Sequence, residues 1–227
     1  MDEDEFWQLL ADACEVANAP TEVNQRIRRR HSAARLLLLR LEKMLSLLSE
    51  PELLEFHRTL VRIHRRAYRR DVWTAFDLAL GGVEMIQFAE AISWLVLQGR
   101  SSYDEVLADP DALATLPIDE EDLRDADGID SIATAVVEPD PNDLLDDELA
   151  DEYRDKVREI EEEFELVVYF DPPPGDPLPG DLDSLRQRFP KLTDRQVPRT
   201  FTELPRPLPS LVEPRGRENR LPGPTTG

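Results

Sequence analysis

The spacing of hydrophobic residues predicts helices along most of residues 2–165, because apolar side chains recur there at intervals of three and four. Residues 2–17 form the first such stretch. Thr21 is predicted to cap a second, long helix that extends to Leu48. The tetrapeptide Ser-Glu-Pro-Glu at 49–52 has the sequence of a capping box with a proline in the first turn, and it predicts the start of a third helix.

The stretch Ala67–Pro110 holds two of the three tryptophans and is predicted to form the centre of the helical core. Asp71 is predicted to cap a helix that ends at Gly81-Gly82, since glycine adopts the left-handed backbone conformation at little cost. Residues 84–98 predict a nearly apolar helix. A second capping-box sequence at 102–105 predicts the start of a short helix.

The composition changes towards the end of the chain, where 13 of the 19 prolines and five of the nine glycines lie in residues 171–227. Continuous secondary structure is not expected in such a segment. Before it, the sequence predicts a highly charged helix at 143–165 and a short strand at 166–170. Within it, residues 181–192 carry four apolar anchors and are expected to dock as one short helix.

Together these elements predict an all-α fold, in the form of one compact multi-helix domain with an orthogonal or bundle-like arrangement. The domain is expected to span residues 1–165, with a core at 2–116 and an acidic helical extension at 117–165. A proline-rich, largely irregular tail is expected over 166–227.

Charge is distributed unevenly within a net charge of −21. Residues 21–70 contain 13 basic and 5 acidic residues, a net +8, whereas residues 102–165 contain 4 basic and 25 acidic residues, a net −21. The overall field should repel phosphate, so sequence-specific nucleic-acid binding is not expected and another protein is the expected partner. No apolar run is long enough for a membrane span, and a single cysteine favours the cytoplasm.

Arginines dominate the basic region, and we expect two successive helices to pack antiparallel and to present them together. They form either a solvated face that balances the acidic segment or a surface that binds an acidic partner. The residues predicted to bind a partner are Arg28, Arg29, Arg30, Arg62, Arg65, Arg66, Arg69 and Arg70.

No catalytic or phosphate-binding motif is present in the sequence, and no cofactor or metal site is expected. His57 and His64 are two helical turns apart, too far to share one ion. Asp77 is expected to be solvated. A ligand pocket beside the paired glycines is the remaining alternative to a plain aromatic core, and its lining would be Asp71, Trp73, Gly81, Gly82, Trp94 and Arg100.

The chain resembles the bacterial domain-of-unknown-function family 4240 in several short segments. These are MDEDEFW at the start, AYRRDVW with the following glycine pair, LADPDAL, and the RFPKL element at 188–192. The resemblance covers residues 1–116 and implies a compact, mostly helical intracellular domain with no activity to carry over. The chain departs from the family at Val83–Gln87, where matching members carry a small polar loop of the type Cys-Ser-Asp-Asp-Gly.

We therefore expect a cytoplasmic, non-enzymatic protein that acts by binding another protein through its arginines, its acidic segment or its proline-rich tail. One alternative is an acidic antitoxin or immunity-type protein, whose 102–165 segment would mimic nucleic acid or cover a basic partner. Another is an enzyme with a site near Asp71, Trp73, Gly81 and Arg100.

Overall fold

The computed structural model describes residues 1–137, 147–163, 173–175 and 181–195, and within these ranges the chain is helical and contains no strand. The predicted all-α fold is therefore confirmed. The helices are α1 (Glu3–Asn18), α2 (Glu22–Arg28), α3 (Ala33–Leu45), α4 (Glu50–Ala67), α5 (Arg70–Leu80), α6 (Met85–Leu97), α7 (Arg100–Ala108), the 3₁₀ helix η1 (Pro110–Thr115), α8 (Glu120–Ala126), α9 (Gly128–Val137), α10 (Asp147–Glu163), α11 (Leu182–Arg188) and α12 (Pro190–Arg195).

The core is built around the aromatic residues of α4 to α7 and the start of the chain. Trp94 of α6 is fully buried, and its ring contacts Phe76 of α5 edge-on, with centroids 6.1 Å apart. At the other end of the core, Trp7 of α1 packs on Tyr103 of α7 with a centroid distance of 5.3 Å. The predicted core centre is therefore correct, and the first helix completes it.

The predicted long helix from Thr21 to Leu48 is wrong, because the chain forms two helices there. Thr21 caps α2 by accepting a hydrogen bond from the Asn24 amide at 3.1 Å. The helix ends at Arg28, and Ser32 then caps α3 by accepting from the Arg35 amide at 3.0 Å. The hydrophobic spacing continues across the break, so only the capping serine signals that a new helix begins.

Two predicted helix starts are also wrong. Arg69, and not Asp71, is the N-cap of α5, and Asp71 lies in the first turn. The short helix α7 begins at Arg100 after the N-cap Gly99, which has a φ of 86°, so the capping-box sequence at 102–105 lies inside the helix. By contrast, the capping box at 49–52 is confirmed, since the Ser49 amide donates to Glu52 Oε2 at 2.8 Å.

Gly81 ends α5 in the left-handed conformation, with a φ of 76°, as predicted. The turn that follows is fixed by Asp77, whose Oδ1 accepts a hydrogen bond from the Val83 amide at 2.9 Å. Asp77 is half-buried rather than solvated, and this burial raises its pKa. At Val83–Gln87, Glu84 caps α6 and its amide donates to Gln87 Oε1 at 3.0 Å, so this segment starts a helix.

The C-terminal part of the described chain packs onto the preceding helices. α10 lies on α4 and α9 and buries Tyr153, Val157 and Ile160. Residues 181–195 form two short helices, where the sequence predicted one over 181–192, and α12 packs on η1 and α5. The strand predicted at 166–170 lies outside the described residues.

A membrane span is not formed by any single described helix, since none is both long and apolar enough. The pair α5 and α6 meets that test only together, and the two helices are bent by 95° at their junction.

Candidate functional site

The predicted arginine face is divided between two parts of the fold. α3 packs mainly on α1, α8 and α9, whereas α4 packs mainly on α10, α9 and α6. The successive arginine-bearing helices therefore do not face each other as an antiparallel pair. Each presents its own arginines, with different neighbours, and the two groups need separate descriptions.

The first group lies where α2 ends and α3 begins. We call it the arginine corner, and it consists of Arg26, Arg28, Arg29, Arg30 and Arg35. All five side chains are exposed, and no acidic residue occurs between positions 26 and 35. Arg29, Arg30 and Arg35 form no ion pair with any residue in the described part of the chain. Arg26 pairs with Glu22 at 3.9 Å. The other arginines of the corner are thus a concentration of positive charge without an ion pair among the described residues, on a strongly acidic protein.

A buried asparagine fixes the arginine corner against α1. Asn24 is only 2% exposed, and its Nδ2 donates to the carbonyl oxygens of Val16, Ala17 and Ala19 at 2.7, 3.1 and 2.9 Å. It thereby adds a donor to carbonyl oxygens at the end of α1, where the helix itself supplies few. Arg28 adds a hydrogen bond to the Asn18 side chain at 2.5 Å. The corner is therefore held by specific hydrogen bonds.

The arginine corner has exposed apolar residues on one side and carboxylates of the acidic segment on the other. Val16 and Val23, on the adjoining parts of α1 and α2, are 49% and 55% exposed, which is unusual for large apolar residues in this fold. On the α3 side, the acidic segment approaches the corner: Asp122 Oδ1 accepts from the Ala34 amide at 2.9 Å, and Asp125 Oδ2 accepts from the Ser32 hydroxyl at 2.5 Å. These carboxylates are thus used to hold the start of α3.

The second group of arginines is largely engaged within the protein. Arg66 of α4 binds Glu3 of α1 through two hydrogen bonds of 2.9 and 2.7 Å, and these bonds lower the pKa of Glu3. The Arg66 guanidinium also lies 5.7 Å from the centre of the Tyr103 ring. The Tyr103 hydroxyl donates to the Ile63 carbonyl oxygen at 2.6 Å, and burial raises its pKa to about 12. Arg66 therefore joins three helices.

Arg69 also forms its hydrogen bonds within the protein. It donates to both carboxylate oxygens of Asp71, at 3.0 and 2.5 Å, and to the Leu107 carbonyl oxygen at 3.1 Å. Burial of Asp71 opposes its ionisation, but the hydrogen bonds and charge of Arg69 outweigh this effect and lower the pKa of Asp71. The neighbouring Arg70 stacks over Trp73 at 5.3 Å. Arg62 and Arg65 are exposed on α4.

The residues predicted to line a pocket take several different roles. Trp94 is a core residue, and Gly81 and Gly82 form the turn after α5. The Trp73 indole donates to the Val83 carbonyl oxygen at 3.2 Å. Arg100 pairs with Asp4 of α1 and Asp104 of its own helix, so the cation bound to Asp71 is Arg69 and not Arg100.

A second cluster of titratable groups, which the sequence did not indicate, lies along α4. His57 and His64 are 3% and 4% exposed, and each faces a carboxylate from a later helix. His57 Nε2 is 3.3 Å from Glu161 Oε1 of α10, and His64 Nε2 is 3.5 Å from Asp130 Oδ1 of α9.

Asp130 also accepts a hydrogen bond from the fully buried Ser93 hydroxyl at 3.1 Å. Although 34% of its side chain is exposed, burial raises its pKa. The serine donates to the aspartate and not to a histidine, so this is not a nucleophile–base pair. Within the described ranges, no three histidine, cysteine or acidic side chains are placed to hold a metal ion.

Comparison with known families places the chain in a family without an assigned activity. The model of the family described as "Protein of unknown function (DUF4240)" matches residues 1–138, so the chain belongs to this family. The match extends past the 1–116 region of the predicted resemblance and ends before the RFPKL element. No curated protein and no solved structure matches the chain.

Proposed function

We propose that this member of the DUF4240 family is a non-enzymatic, cytoplasmic protein that binds an acidic protein partner through the arginine corner. The observation that carries the proposal is the set of exposed arginines Arg29, Arg30 and Arg35, which form no ion pair with any described residue while acidic residues are abundant in the chain. Uncompensated charge at one place on a surface steers the association of an oppositely charged partner.

The apolar neighbours of the corner favour a protein over a nucleic acid. Val16 and Val23 supply exposed apolar surface beside the arginines, and protein interfaces combine such contacts with a charged rim. A nucleic acid would meet the net charge of −21 on the rest of the chain, and no aromatic residue lies between positions 16 and 35 to stack on bases.

The antitoxin or immunity-type alternative draws on the acidic segment, but part of that segment is already in use. Asp122 and Asp125 bind the backbone amide of Ala34 and the hydroxyl of Ser32. These two carboxylates are therefore not available to cover a basic partner unless α8 first leaves α3. This favours the arginine corner over the acidic segment as the binding surface.

A charge-reversal experiment tests the proposal. The full-length protein and its Arg29→Glu/Arg30→Glu variant would be used as baits in quantitative pull-downs from the source cells at physiological salt. We expect the wild type to retain at least one acidic protein that the variant loses, because reversing two charges turns attraction into repulsion.

The matched control is Arg154→Glu/Arg158→Glu on α10, which changes the net charge by the same amount at two exposed positions. This control variant should retain the partner. Equal retention by all three baits, or equal loss from both variants, would show that the arginine corner does not select the partner.

A further inference from the structure

The C-terminal segment 181–195 is bound to the rest of the fold through a buried carboxylate. Asp111 of η1 is 3% exposed, and its two oxygens accept hydrogen bonds from the backbone amides of Lys191 and Leu192 at 3.0 and 2.9 Å. These amides belong to the first turn of α12, which begins with Pro190. One aspartate of the family region therefore binds the start of a helix about 80 residues later in the chain.

Apolar contacts accompany this polar contact. Leu185, Phe189 and Leu192 are 6%, 1% and 1% exposed and belong to the same hydrophobic core as the helices of the family region. α12 packs on η1 and α5. This combination of apolar anchors on a short helix with recognition of its end is the arrangement of a helical peptide bound in a groove.

The segment is too short to be stably helical by itself. α11 has seven residues and α12 has six, and isolated helices of this length are unstable in water. The Asp181 side chain caps α11 by accepting from the Ser184 amide at 2.8 Å, whereas the cap of α12 is provided by Asp111. The fold of α12 thus depends on its contact with η1.

The aspartate depends on the segment in turn. With the segment in place Asp111 is 3% exposed, so the two amides supply the hydrogen bonds that offset its desolvation, and losing them in the bound state is costly. The site is therefore complementary to one kind of ligand: a helix start with free amides and with apolar residues at the spacing of Leu185, Phe189 and Leu192.

We infer that the surface formed by η1 and α5 is a peptide-binding site, and that residues 181–195 of the chain are its bound ligand. Residues 164–180, which precede the segment, contain five of the prolines and two of the glycines, so the segment is joined to the domain by a sequence typical of a linker. The segment also lies outside the part of the chain that defines the family. This inference does not depend on the arginine corner.

The test starts from the folded full-length protein with a protease recognition sequence inserted between Asp176 and Gly180. After cleavage, we expect the C-terminal fragment to remain bound at about 10 µM in size-exclusion chromatography. It should then exchange with a fluorescent synthetic peptide of residues 181–195, with binding followed by anisotropy. Asp111→Asn should weaken this peptide roughly tenfold or more, since a charged acceptor of two amides is replaced by a neutral group with one acceptor oxygen.

Variants made only in the peptide avoid any effect on the folding of the domain. Phe189→Ala should weaken binding at least tenfold, because the ring is almost fully buried. Arg186→Ala, at a position that is 57% exposed, should bind within about twofold of the native peptide. The inference would be overturned if no peptide bound at about 1 mM, if Phe189→Ala bound as well as the native sequence, or if the cleaved fragment never exchanged.

Discussion

Arg29 and Arg30 of the arginine corner differ from Arg66 and Arg69 in what lies opposite them. Arg66 meets Glu3, which is 63 residues earlier in the chain, and Arg69 meets Asp71 and the Leu107 carbonyl oxygen. Arg29 and Arg30 meet no described carboxylate. The same residue type therefore joins helices in one region and forms no ion pair with described residues in the other.

The difference shows that a cluster of arginines in a sequence does not by itself define a binding surface. Helix α1 supplies Glu3 to Arg66 and Asp4 to Arg100, so the acidic start of the chain neutralises the arginines near α4 and α7. At the end of α2, Glu22 pairs with Arg26 at 3.9 Å, but no described acidic residue pairs with Arg29 or Arg30. Asp122 binds the Ala34 amide and Asp125 binds the Ser32 hydroxyl instead.

We expect the largest effect on stability at Asn24, which attaches the arginine corner to α1. Asn24→Ala removes a buried side chain that donates to three carbonyl oxygens and accepts from Arg40 at 2.5 Å. We expect the free energy of unfolding to fall by about 3 kcal/mol, because Arg40 would lose this acceptor and the three carbonyl oxygens would each lose one of their donors. Urea denaturation followed by circular dichroism measures this loss.

Gln25→Ala is the matched control, at the exposed neighbouring position of the same helix. It should change stability by less than about 0.5 kcal/mol. If the two variants were equally stable, the hydrogen bonds of Asn24 would not stabilise the fold, and the arginine corner would not depend on them.

The second prediction concerns an arginine that is paired within the protein. Arg69→Ala leaves the partly buried Asp71 without its cation and should reduce the free energy of unfolding by about 2 kcal/mol at pH 7. The pKa of Asp71 is below its usual value of 3.8 in the folded protein, so the ion pair stabilises the fold above that value. This stability is lost as the pH falls through the folded-state pKa.

The difference in the free energy of unfolding between Arg69→Ala and the wild type should therefore be constant from about pH 5 to pH 7 and should shrink below about pH 4. Denaturation curves at several pH values measure it. A difference that stayed the same at acid pH would mean that the Leu107 carbonyl contact, and not the ion pair, accounts for the contribution of Arg69.

The sequence predicted the helical class, the aromatic core centre and the end of α5 at Gly81, because these depend on local spacing and on glycine. It did not predict the break at Arg29–Ser32, where the apolar spacing continues without interruption. It also did not indicate Asn24, Asp111 or Asp130 as key residues. Each of these acts on groups supplied by other helices, and such pairings depend on tertiary packing that local patterns do not record.

The third prediction contrasts two aspartates. Asp71 has a lowered pKa because a cation faces it, whereas Asp130 has a pKa that burial raises, with His64 and Ser93 as neighbours. Asp130→Asn should therefore increase the free energy of unfolding at pH 7 by about 1 kcal/mol. The new amide can still accept from Ser93, and it removes the negative charge from the buried site beside His64.

The stability that protonated Asp130 provides is complete below its unfolded-state pKa of 3.8 and is lost as the pH rises through the raised folded-state value. The gain from Asp130→Asn should therefore grow with pH and disappear near pH 3. Thermal melts at pH 3 and pH 7 test this. A variant that is less stable than the wild type at both pH values would show that the charged carboxylate is favourable to the fold.

We expect the smallest effect on stability from substitutions in the arginine corner itself. Arg29→Ala/Arg30→Ala removes two exposed side chains that form no ion pair with described residues, so the free energy of unfolding should change by less than about 0.5 kcal/mol. Within that range we expect a small stabilisation at low salt, because neighbouring positive charges repel one another, and this gain should weaken as salt is added. Denaturation at low and at high salt measures both effects. A loss of more than about 1 kcal/mol would mean that these arginines have intramolecular partners, and the contrast with Arg66 and Arg69 would then disappear.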